Sequence, residues 1–165
     1  MPVAGGASVQ LFSGRWIRSS AFDSSAIYFV QYSTKDVMKY DIGSASLSVL
    51  IGGNSTEGNV FIDTSNVYLN IGGSIKAVSK AGGAVTTLVS GAGVNGYVSD
   101  GSFVYFTDGS FIKTIPVSGG VVTSLIPVTA GSVTAMAVDG TWIYWTDVSG
   151  GTGAGKIWKR SKPTP

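Results

Sequence analysis

The sequence predicts an all-β chain made of four copies of one four-stranded antiparallel unit, and three observations carry that prediction. The first is a repeated stretch. Residues 139–147 read DGTWIYWTD, residues 100–108 read DGSFVYFTD, and weaker copies begin at Asp63 (DTSNVYLN) and Asp23 (DSSAIYFV). The second is composition. Gly is 24 of 165 residues and charged residues are 12%, about twice and about half of ordinary usage. Such a chain favours short strands and tight turns over helices. The third is patterning. Tyr144 points opposite to Ile143 and Trp145 on a strand, so both faces are large and mainly apolar, whereas a sheet with one wet face would alternate.

The elements follow in order from the repeat. Four residues after each Asp stands Ile27, Val67, Val104 or Ile143; next comes Tyr28, Tyr68, Tyr105 or Tyr144; then Phe29, Leu69, Phe106 or Trp145. A β-branched residue then opens a third strand at Val37, Ile75, Ile112 and Ile157. Leu47, Val85 and Val122 open a fourth strand in the first three units. In the second unit the predicted strands are 59–62, 67–70, 75–79 and 85–89; in the third they are 96–99, 104–107, 112–117 and 121–126. Glycine pairs at 72–73 and 82–83 supply the positive φ that the turns need. Four short strands per ~40 residues is the signature of a β-propeller blade. The expected domain is therefore one propeller over 1–165, with repeats at roughly 15–51, 52–90, 91–127 and 128–165.

The fourth unit stops after its third strand, and the N-terminus carries the missing one. Residues 4–14 read AGGASVQLFSG and residues 81–91, in the fourth-strand region of unit two, read AGGAVTTLVSG, with seven of eleven positions matching. The distance to the next Asp is nine residues in both cases. Residues 4–14 are thus expected to be a strand four that closes the last blade and removes two sheet edges.

The repeat resembles the YWTD-type β-propeller repeat and, more broadly, its bacterial relatives and the lyase-like propellers. Tyr144, Trp145, Thr146 and Asp147 carry the likeness, with Tyr105, Phe106, Thr107 and Asp108; the units at Tyr68 and Tyr28 depart from it as YLNI and YFVQ. The motif marks a blade and not an activity. The resemblance implies six or more blades, against four here. Three closures fit the sequence: a homodimer forming one eight-bladed ring, a four-bladed ring within one chain, or a piece of a longer chain. The resemblance also implies a His base for the lyases, and this chain has no His.

Composition bounds the chemistry further. The absence of Cys excludes disulfides and thiol catalysis. A net charge of +2 does not recommend nucleic acid as a partner. No apolar run approaches the 18 residues of a membrane span, and residues 1–14 are too short and polar for a signal peptide. The compartment stays open, including export after removal of a leader.

Connections from strand four to one and from strand two to three share one face of a propeller, which makes their residues candidates for ligand binding. The first set, at 13–19, 52–59, 90–96 and 128–134, carries Arg15, Trp16, Arg18, Asn54, Glu57, Asn59 and Asn95. The second carries Gln31, Lys35, Asn70, Asp108 and Asp147. Trp16 between two arginines suits a sugar ring or an anion; the plain alternative is a Trp packed between blades. Asp108 and Asp147 suit a polar ligand, or simply anchor their loops through backbone amides. The glycine-rich 148–155 insertion lacks the Lys-Ser/Thr and the helix of a phosphate loop. Lys156, Lys159, Arg160 and Lys162 form a basic strand around Trp158, most simply a solvated face. No residue is assigned a catalytic or metal-binding role and no cofactor is called for. The expected function is a non-catalytic binding or scaffold module that recognises a protein or glycan on the loop face. The alternatives are a lyase or hydrolase using loop-face carboxylates, and a repeat whose role is assembly itself.

Overall fold

The computed structural model describes residues 7–13, 16–53, 58–91, 93–94, 96–129 and 133–163. They form four antiparallel sheets, one per predicted repeat. The first is β1 (Ile17–Phe22), β2 (Ala26–Gln31), β3 (Val37–Asp41) and β4 (Ser46–Ile51). The second is β5 (Gly58–Ile62), β6 (Asn66–Ile71), β7 (Ser74–Ser79) and β8 (Thr86–Val89). The third is β9 (Tyr97–Ser99), β10 (Phe103–Thr107), β11 (Phe111–Pro116) and β12 (Thr123–Pro127). The fourth has β13 (Val133–Val138), β14 (Trp142–Asp147) and β15 (Lys156–Ser161). Within each sheet the strands lie in sequence order.

The fourth strands of the second and third sheets begin later than the sequence suggests. Val85 and Val122 lie outside the ladders, which start at Thr86 opposite Ala77 and at Thr123 opposite Thr114. The glycine pairs before them still turn: Gly83 has φ 115° and Gly120 has φ 129°, values that only Gly adopts without strain.

Each repeated Asp ties its turn. Its Oδ1 accepts the amides two and three residues on, as Asp139 does from Thr141 and Trp142, both at 2.7 Å. Asp23, Asp63 and Asp100 repeat the arrangement. Short acceptor side chains at this offset stabilise the turn that joins strands one and two.

Apolar contacts between neighbouring sheets hold the row together. Tyr28 of the first sheet is buried with Val67 and Leu69 of the second. Tyr68 of the second is buried with Val104 and Phe106 of the third, and Tyr105 of the third with Ile143 and Trp145 of the fourth. Among the described residues two ion pairs cross these junctions: Lys80 to Asp23 at 2.7 Å and Lys162 to Asp100 at 2.8 Å. Lys162 is therefore engaged with the preceding sheet and not a solvated strand end.

The N-terminal stretch does not join the fourth sheet of its own chain. Among the described residues the fourth sheet has three strands, and residues 7–13 form no ladder with it. Phe12 instead packs on the first sheet, stacked on Phe29 with ring centroids 5.1 Å apart and tilted against Tyr40 at 5.4 Å.

Candidate functional site

The loop face carries two aromatic patches. The first is on the first sheet. Trp16 precedes β1, Tyr32 follows β2, and the Tyr32 amide donates to the Trp16 carbonyl at 2.7 Å. The two rings lie 6.0 Å apart. Trp16 is 77% exposed and Tyr32 40%. Lys35, at φ 59°, brings its ammonium 3.8 Å from the Tyr32 ring centre. A non-glycine residue in the left-handed region is uncommon, and here it sets a cation over the ring. The result is a pair of exposed rings tilted by 36°, with a cation over one of them.

The second patch lies between the third and fourth sheets. A cavity of about 310 Å³ is lined by Pro127, Thr129, Trp145, Asp147 and Trp158, among others. Trp145 and Trp158 are partners across β14 and β15, with rings stacked 6.4 Å apart. Asp147 accepts the Ser149 amide at 2.8 Å and the Trp158 indole N–H at 3.2 Å. The hydroxyl and amide of Ser149 are the main reason its carboxyl sits below the usual range.

Asp108 occupies the same register position one sheet earlier. Its Oδ1 accepts the amides of Ser110 and Phe111, both at 2.9 Å, and its Oδ2 pairs with Lys113. Burial pushes this carboxyl up, but Lys113 and the two amides outweigh it and bring it down to about 2. Lys113 and Trp158 are thus equivalent, each giving a donor to the loop-face Asp of its own sheet.

The other predicted residues spread out. Arg18 and Asn59 are exposed on β1 and β5, neighbouring innermost strands joined where the Val60 amide donates to Ser19 Oγ at 3.0 Å. Asn59 bonds the hydroxyl of Tyr97, whose pKa burial raises to about 12 against the smaller lowering by that bond. Asn70 donates to the Val94 carbonyl at 2.8 Å and so fixes a loop. Arg15, Asn54, Glu57 and Asn95 lie outside the described residues. Sequence reasoning missed the pairing of Trp16 with Tyr32 and the cavity at Trp158. For Tyr32 the signal was its place directly after strand two. For Trp158 it was the match to Lys113.

The basic strand is exposed along its length, and two of its cations make contacts as well. Lys159 sits 4.4 Å from the Trp142 ring centre, and Arg160 donates to the Leu125 carbonyl at 2.6 Å. Among the described residues no helix is long and apolar enough to cross a membrane.

No family model matches the chain, and no curated protein does. Solved structures do. The computationally designed Ika4 protein matches with a TM-score of 0.70 at 15% identity, over 92% of this chain and 98% of that one. A streptogramin B lyase matches with a TM-score of 0.64 at 17% identity, over 91% of this chain and 55% of that one. A chain of a nidogen/laminin complex matches with a TM-score of 0.66 at 17% identity, over 87% of this chain and 64% of that one. The chain therefore spans between half and two thirds of the length of the latter two. At such identities the likeness concerns the fold, which is that of the β-propellers: all-β, with antiparallel sheets as blades.

Proposed function

We propose that this chain is a non-catalytic binding module of the YWTD-type repeat class, and that its loop face takes a glycan or a protein segment. The observation that carries the reading is Trp16. A tryptophan 77% exposed, backed by a second ring and a lysine, is an uncommon expense of apolar surface unless something covers it. Flat aromatic surfaces suit the apolar face of a sugar ring, and Lys35 and Arg18 suit carboxylate or sulfate substituents. The cavity at Trp158 and Asp147 offers the same combination of ring and polar acceptor. One propeller of similar fold stands in a complex between two proteins, which supports a protein segment as the other class of ligand. Arg15, Glu57 and Asn95 belong to the proposed binding set by their sequence positions.

A screen of neutral and acidic oligosaccharides, read by tryptophan fluorescence and calorimetry, tests this. At least one should bind, and Trp16→Ala should weaken it tenfold or more while Trp142→Phe leaves it unchanged. Binding indifferent to Trp16 and Trp158 alike would overturn the site.

A second reading concerns assembly. We propose that two chains form one eight-bladed ring. It is favoured by the fate of the repeated tyrosine: Tyr28, Tyr68 and Tyr105 are buried by the next sheet, while Tyr144 is only half-buried. Light scattering over a dilution series should give a dimer.

A further inference from the structure

The three junctions inside the chain share one plan. Strand four of each of the first three blades carries, at or next to its end, a residue buried against the next sheet: Ile51 with Val67 and Leu69, Val89 with Val104 and Phe106, Ile126 with Ile143 and Trp145. Phe12 takes that same place against the first sheet, where Phe29 is the counterpart of Leu69, Phe106 and Trp145. Residues 7–13 therefore lie as the fourth strand of a preceding blade would lie. Among the described residues no sheet pairs with them.

The fourth sheet has the complementary edge. Val37, Ile75 and Ile112 stand first or second in the third strands of the other sheets and are 0% exposed. They pair with Ile51, Val89 and Ile126. Ile157 is their counterpart, opposite Thr146 as Ile112 is opposite Thr107, yet it is 80% exposed. It lies on the same face of the sheet as Tyr144.

We infer that residues 7–13 of a second copy of this chain add to β15 as its missing fourth strand, while that copy's first sheet covers Tyr144 and Ile157. The inference rests on the two-chain ring and adds its mechanism, strand exchange. A second copy is the occupant because Phe12 already sits on its own first sheet in the geometry that each internal junction uses. Two-fold closure then makes two identical junctions, each N-terminus completing the other chain's last blade. Both open edges vanish, and the unpaired N–H and C=O groups of β15 acquire a ladder.

The register follows from the internal pairs. Val37 pairs with Ile51, then Met38 with Val49 and Lys39 with Ser48. Ile75, Lys76 and Ala77 pair in the same order with Val89, Thr87 and Thr86, and Ile112, Lys113 and Thr114 with Ile126, Ser124 and Thr123. Each skips one residue after the first pair. Transferred to the fourth sheet, this sets Ile157 opposite the second copy's Phe12, then Trp158 opposite Gln10, and Lys159 opposite Val9.

Cysteine pairing tests the register directly, because the chain has no Cys of its own. The double variant Ile157→Cys with Phe12→Cys, oxidised and weighed without reductant, should give a covalent dimer as the main product. Ile157→Cys with Val9→Cys should give at least tenfold less. Should the double variant fail to fold, a mixture of the two single variants carries the same readout as a mixed disulfide dimer. A disulfide-bonded monomer would overturn the inference in favour of closure within one chain. A dimer by light scattering without in-register crosslinking would overturn strand exchange and leave the two-chain ring standing. A monomer at all concentrations would sink both. Trp16→Ala should crosslink as well as its parent, so failure of the loop-face reading leaves this result untouched.

Discussion

The hydroxyl of Tyr144 donates to Oδ2 of Asp139, five residues earlier, at 2.7 Å, while Oδ1 of the same carboxylate holds the turn amides of Thr141 and Trp142. One side chain thus fixes a turn and satisfies the tyrosine hydroxyl. Tyr105 repeats this with Asp100 at 3.1 Å, and Tyr68 with Asp63. In the first sheet Asp23 Oδ2 takes Lys80 of the second sheet instead. Tyr105→Phe should therefore destabilise the chain by about 1.5 kcal/mol, the low end for loss of one hydrogen bond to a charged acceptor. Tyr144→Phe should have a clearly smaller effect on the isolated chain, because water reaches Asp139. Urea unfolding of the two variants checks the difference.

Acid should weaken the fold in a defined window. Lys80 first, then the amide and hydroxyl of Ser25, hold the Asp23 carboxyl far below its usual range, and Asp108 is brought to about 2. These carboxylates contribute fully above the unfolded value of about 3.9, where both states are ionised. As pH falls below about 4 the unfolded chain takes up protons that the folded chain refuses, so stability declines toward pH 2. Lys80→Met should cost about 1 kcal/mol at pH 7, as expected for a partly exposed pair. It should also flatten part of the acid slope. Urea midpoints from pH 7 to pH 2 give both quantities.

Gly73 should tolerate no side chain. It has φ 77°, and a Cβ there would stand 2.8 Å from the Gly93 backbone nitrogen, where the turn after β6 meets the connection into the third sheet. Gly101 has φ 88° with open space around it. Gly101→Ala should cost roughly 1 kcal/mol from backbone conformation alone. Gly73→Ala should cost roughly 2–3 kcal/mol because the clash adds to it. Thermal unfolding of the pair separates the two contributions.

Trp158 and Lys113 should be exchangeable as donors. Trp158→Phe removes the indole N–H from Asp147 and should raise proteolytic cleavage within 148–155 several-fold. Trp158→Lys should bring it back toward the parent rate, since Lys113 makes the matching contact to Asp108. Limited proteolysis followed by mass spectrometry reads the outcome; equal cleavage in both variants would show that the donor is irrelevant to the loop.

Much of the fold was legible because a local signal repeats. The Asp-to-Tyr stretch marks β2, β6, β10 and β14 within a residue or so, and the role of the Asp as a turn anchor follows from its offset alone. The junction ion pairs were not legible. Lys80 lies 57 residues from Asp23, and in the third sheet Val117 stands where Lys80 and Lys162 stand, so no pattern announces the contact. Of the site, Trp16 stood out as an aromatic in a loop. Its partner Tyr32 did not, since one residue past β2 the strand alternation no longer says where a side chain points. The place of residues 7–13 was readable as a fourth strand from its likeness to 81–91, but which chain it serves is a matter of space and not of sequence.

The apolar contacts divide into separate clusters, each joining no more than two sheets. A molecule with no common centre behaves as a linear array, its cohesion the sum of blade and nearest-neighbour contributions. Among the described residues the second and third blades share an apolar cluster with a sheet on each side, and the first and fourth with a sheet on one side. Unfolding should accordingly run inward from both ends like a fraying ribbon, with amide hydrogen exchange slowest in β6 and β10 and fastest in β15. Joining the ends would turn that ribbon into a loop without a first blade to lose.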